Sequence, residues 1–63
     1  MNHLFNVDDL VVHKFSPGHT DVYKVLKVVD DCCVLEHFGA TVMQNFRHAE
    51  ADEVDQNKRL YIK

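Results

Sequence analysis

The apolar positions of this chain follow a period of two more closely than the helical period of about 3.6, which predicts strands. Phe5 and Val7 lead into a tight turn at Asp8-Asp9, and residues 10–15 (LVVHKF) read as a first strand. Residues 16–21 form a loop in which Pro17 and Gly18 supply the two dihedral preferences that a turn needs. Residues 22–29 (VYKVLKVV) give the strongest strand signal, because five of the eight are β-branched or aromatic. Strict alternation puts Val22, Leu26 and Val28 on one face and Tyr23, Val25 and Val29 on the other. Lys24 and Lys27 then fall on opposite faces, so the strand is expected to twist or bend strongly. Asp30-Asp31 marks a hairpin turn, residues 32–38 (CCVLEHF) a third strand, and Gly39-Ala40 another turn. Residues 41–47 (TVMQNFR) read as a fourth strand, with Val42 and Phe46 on one face and Met43 on the other.

Residues 49–58 have a different texture. Helix formers, early acids and a late base suit a helix dipole, in a piece too short to be stable alone. One or two turns are expected there, with Asn57 ending them and Leu60-Tyr61-Ile62 returning as a short edge strand. The expected fold class is therefore mainly β. It is a small barrel of four to five antiparallel strands with one short helical turn near the C-terminus.

With 63 residues there is room for one domain, spanning 1–63, and little stability to spare for a deep catalytic pocket. The net charge of −3 opposes a broad grip on a phosphate backbone. Five histidines make that charge labile: five added protons would carry −3 to +2. The two cysteines are adjacent, Cys32 and Cys33. Neighbours in a strand point to opposite faces and cannot bridge without strain. The opening residues are too polar for a secretion signal, and no apolar run approaches the ~18 residues of a membrane span. A reducing, cytoplasmic location is expected, with no membrane association.

The segment Phe5-Asn6-Val7-Asp8-Asp9-Leu10-Val11 resembles the "F-x-V-G-D-x-V" opening of small SH3-like barrels. These include KOW-type, Tudor-like and agenet-type modules and many short phage and plasmid proteins. In that pattern a glycine occupies a turn that needs a positive φ. Asp8 stands there instead, a residue that tolerates the conformation better than most. A narrower resemblance joins Asp9-Leu10-Val11-Val12-His13 and Val34-Leu35-Glu36-His37-Phe38-Gly39 to the RNA-polymerase-interacting domain of CarD-type proteins. That domain reads "GD-x-VVH" and then "L-x-L-x-Y-x-G". The "H-G-x-G" of that family is missing, with Phe15-Ser16-Pro17-Gly18 in its place. The resemblance implies a bacterial or phage accessory protein that acts on a host complex such as RNA polymerase.

The chemistry-bearing residues point away from catalysis. Cys33, Leu35 and His37 share a face in an extended strand, with His13 placed across from them, but adjacent cysteines lack the spacing of a zinc knuckle. Cys33 and His37, four apart on a strand, stand roughly 13 Å from each other, beyond the reach of a nucleophile–base pair. The carboxylates at Asp30-Asp31 and at Asp52, Glu53 and Asp55 are assigned to a solvated turn and helix face. With only Gly18 and Gly39, the chain has no phosphate-cradling loop. No catalytic residue, metal or cofactor is expected.

What remains is binding. The residues expected to carry it are Lys14, Pro17, His19, Tyr23, Lys24, Phe38 and Arg47, from the 16–21 loop, the aromatics and the bases beside them. A protein partner is expected, met partly by pairing on an exposed edge strand, either 10–15 or 60–62. The same edge would allow a homodimer. A nucleic-acid-binding barrel with Tyr23, Phe38 and Phe46 as stacking platforms is the alternative, and a self-associating structural subunit is another.

Overall fold

The computed structural model describes residues 4–62. Its elements in order are β1 (Leu10–His13), β2 (Tyr23–Val29), β3 (Cys32–Leu35), β4 (Gly39–Val42), a 3₁₀ turn (Met43–Asn45), β5 (Phe46–His48) and α1 (Ala51–Gln56). All pairings are antiparallel, in the order β4-β3-β2-β1-β5. The chain is thus mainly β, with one short α-helix near its C-terminus, as expected. No helix among the described residues is long and apolar enough to cross a membrane.

β2 holds the sheet together. Its first residues pair with β1 (Val11↔Tyr23) and its later ones with β3 (Val29↔Cys32). The register shifts between Val25 and Lys27, so an extra residue is accommodated there as a bulge. The bulge resets the alternation. Tyr23 and Val25 face the core before it, and Val28 packs on the core after it. This replaces the strict alternation expected for residues 22–29 and explains why Lys24 and Lys27 are both exposed.

Positive φ angles mark the turns. Asp8 has φ 78°, which confirms the left-handed turn expected at that position, and Asp30 has φ 53° in the β2–β3 hairpin. The third turn lies earlier than expected. β3 ends at Leu35, His37 takes φ 66°, and Gly39 opens β4 with φ 101°, a conformation that L side chains rarely adopt. The expected strand 41–47 is broken by the 3₁₀ turn. Because that turn resets the phase, Met43 and Phe46 both enter the core and Val42 faces solvent, so Phe46 shares its side with Met43 and not, as expected, with Val42. The core consists of Phe5, Val11, Tyr23, Val25, Cys33, Leu35, Met43 and Phe46. Cys32 is exposed and Cys33 buried, and both are free thiols.

Two expected edges do not exist. β1 lies between β2 and β5, so its hydrogen-bonding groups are occupied. Residues 60–62 form no strand, because the amides of Leu60 and Tyr61 both donate to one oxygen of Glu53, 2.7 and 3.2 Å away. Consecutive amides aimed at one acceptor cannot also alternate toward a neighbouring strand. The helix is shorter than residues 49–58 but ends as expected, with Asn57 in the left-handed conformation at φ 53°.

Candidate functional site

β1 and β5 pair as Val12↔Arg47 and His13↔Phe46, and the two faces of this ladder end differently. On the Arg47 face lies Glu53, which has 0% exposure. Arg47 meets it with two parallel bonds, Nη1 to Oε1 and Nη2 to Oε2, both 2.8 Å. Glu53 also accepts from the amide of Glu50 at 2.9 Å, the return arm of a capping box at the start of α1. Arg47 donates further to the carbonyls of His48 and Tyr61. The Tyr61 hydroxyl closes the outer side by donating to Asp52. The Arg47 hydrogen bonds, with those from the Leu60 and Tyr61 amides, hold the Glu53 carboxyl at about 2 against the resistance of its burial. This face is a structural lock that joins β5, α1 and the C-terminal segment.

The opposite face leads outward through rings. Phe46, in the core, contacts Phe38 (centroids 5.1 Å), His13 (4.8 Å) and Tyr23 (6.2 Å). Phe38 contacts Tyr23 at 5.2 Å and His19 at 4.9 Å. His13 continues to Phe15 at 4.7 Å edge-on and to His19 at 6.0 Å, stacked. The series therefore begins in the core and ends in solvent. Phe15 is 58% exposed, His19 and Pro17 are exposed, and Phe38 is half-buried.

The sequence folds this way locally because His13 caps the loop. Its Nδ1 accepts from the amides of Phe15 (3.3 Å) and Ser16 (3.1 Å), so the neutral ring carries its proton on Nε2. Burial, then the nearby His19 and Arg59, lower the His13 pKa and keep it neutral. Arg59 supports the same strand end by donating Nη1 to the His13 carbonyl at 3.0 Å, while its own amide donates to the Thr20 carbonyl at 2.6 Å. The loop is thus held at both ends, and its rings are presented rather than folded away.

Of the residues expected to bind, the structure brings His19, Tyr23 and Phe38 into one cluster, with Pro17 on the adjoining loop. Tyr23 is largely buried, and burial followed by Asp21 raises its pKa. Lys14 is half-buried just past β1, its amide donating to Asn45. Lys24 is exposed, with its ammonium 3.7 Å from Asp8. Arg47 is committed to the lock, and neither it nor Lys24 makes a ring contact in the cluster. The shared face expected for Cys33, Leu35 and His37 does not form, because His37 lies in the turn after β3. Among the described residues no group of three or more His, Cys, Asp or Glu is placed to hold a metal ion. Phe15, Glu53 and Arg59 were not singled out from the sequence for these positions. The spacing of His13, Phe15 and His19 around a Pro-Gly loop was the available signal for the first of them.

No family model, curated protein or solved structure matches this chain.

Proposed function

We propose that this chain is a non-enzymatic protein-binding module, a small SH3-like barrel whose contact surface is formed by Phe15, Pro17, His19 and Phe38. One observation carries the reading: a continuous set of ring contacts that starts at buried Phe46 and ends on exposed rings. Rings anchored from below lose little conformational freedom on binding, which is why aromatic residues concentrate at interface hot spots. The partner is a protein segment with apolar or aromatic side chains. An accessory role on a host complex such as RNA polymerase fits this surface. Edge pairing through residues 10–15 or 60–62 is not part of the mechanism, since neither is an edge strand.

The basic residues weaken the nucleic-acid alternative. Arg47 is committed to Glu53, Arg59 to the His13 carbonyl, and Lys24 lies beside Asp8. The test is an affinity capture from bacterial lysate, with and without nuclease, using the wild type and a Phe15→Ala/His19→Ala variant. A stoichiometric protein that survives nuclease and is lost with the variant supports the proposal. Capture unaffected by the variant overturns this surface. Capture abolished by nuclease replaces the protein partner with a nucleic acid.

A further inference from the structure

The outer face of the β2–β3–β4 sheet is apolar where an outer sheet face is ordinarily polar. Register fixes two rows across it: Val29, Cys32 and Val42 in one, and Lys27, Val34 and Ala40 in the other. Val29 is 50% exposed and Val42 37%, while Cys32 and Ala40 are exposed as well. Lys27 is the only charged side chain in the two rows. The margin beside Val42 carries the opposite charge. A depression of ≈ 280 Å³ lies there, lined by Leu4, Asp31, Val42, Met43 and Gln44, and Asp31 is exposed in it. The adjoining edge, β4 (GATV), has no charge and no proline, the usual guards against association.

We infer that this face is an interface between two copies of the chain, stacked face to face with their strands antiparallel. Charge selects both the occupant and the orientation. The patch has a basic row at one end and an acid just beyond the other. A second copy reversed along the strand direction therefore brings each Lys27 toward the other's Asp31, and the valine rows cover each other. The parallel stack sets like charges together. A two-fold axis makes the contact isologous, so the pair Lys27–Asp31 occurs twice. The surface is separate from the aromatic cluster, so this inference does not depend on the proposed partner.

The test is sedimentation equilibrium of the full chain over a range of concentrations. Wild type is expected to approach the mass of a dimer. Lys27→Glu alone and Asp31→Lys alone are each expected to weaken the dimer by about tenfold or more. Mixing the two single variants in equal amounts should restore the dimer. The acid introduced in one variant then meets the base introduced in the other, and the remaining native Lys27 meets the remaining native Asp31. Rescue by mixing cannot come from variants that fail to fold. A wild type that stays monomeric overturns the inference, as does a dimer indifferent to both variants or a mixture no tighter than its components.

Discussion

Val12 and His13 are neighbours on one strand, yet they face two differently built halves of the molecule. The Arg47 half ends in a buried carboxylate with five hydrogen bonds from protein donors. The His13 half ends in rings that reach solvent. A carboxylate already met by protein donors offers a ligand little to replace, while exposed rings leave apolar area that a partner can cover. On the proposed reading, the difference separates stability from recognition along a single β-ladder, and each side can be perturbed alone.

The largest expected effect is on the lock. Glu53→Gln removes the charge that Arg47 faces and is expected to destabilise the fold by about 3 kcal/mol, as for other broken buried pairs. In so small a domain that leaves much of the chain unfolded, which urea titration followed by circular dichroism will show. A loss under about 1 kcal/mol would mean that stability does not reside on this face.

Acid probes the same group without mutation. The folded pKa of Glu53, about 2, lies below its ordinary 4.5. Its contribution is therefore present above pH 4.5 and lost as pH falls toward 2. The shift corresponds to roughly 3 kcal/mol at neutral pH. In Glu53→Gln held folded by an excluded osmolyte, this part of the acid dependence should vanish.

His13 gives the matching prediction for the ring side. Its folded pKa is lowered, so its contribution is present above the ordinary value of 6.5 and lost as pH falls through the folded value. Nitrogen NMR of the ring should show the Nε2–H tautomer at neutral pH. On acidification the Phe15 and Ser16 amides should lose protection relative to their intrinsic exchange rates at each pH, because a protonated Nδ1 no longer accepts from them. Unchanged protection would remove His13 as the cap of the loop.

Two small effects complete the comparison. Phe15→Ala is expected to change stability by less than about 0.5 kcal/mol while weakening partner capture, since its ring is mostly exposed. A thermal melt and the capture assay together check both halves of that statement. Asp8→Gly should stabilise by about 0.5 kcal/mol by relieving the left-handed backbone. The exposed contact with Lys24 at 3.7 Å contributes too little to offset it.

Much of the architecture is legible in the sequence. The β-branched run at 22–29, the turn at Asp8 and the stop at Asn57 each follow from local backbone preference. The phase errors arise where a local irregularity resets the count: the bulge after Val25 and the 3₁₀ turn at Met43–Asn45. The bulge shows in the sequence only as Lys24 and Lys27 breaking the alternation, which predicts a bend without its position, and the 3₁₀ turn has no signature at that level. The edges are misplaced because strand order is a property of the whole sheet, and β1 acquires its second neighbour from residues 46–48, far along the chain. In the ring cluster, His19, Tyr23 and Phe38 are visible as types, but their meeting depends on the β2–β3 pairing. Arg47 reads as a surface base because its partner, Glu53, reads as one acid of a solvated helix face.

The way Glu53 holds the C-terminal segment has a consequence for sequence drift. It grips positions 60 and 61 through their amides, and the side chain of Leu60 is exposed. The grip is therefore largely blind to which side chain stands at 60. Such a position can be rewritten over generations while the fold persists, with proline excluded because it lacks the N–H. Related chains should accordingly keep the Arg and the Glu and vary at 60, so a comparison that weights the C-terminal residues would miss kin that the buried pair would find.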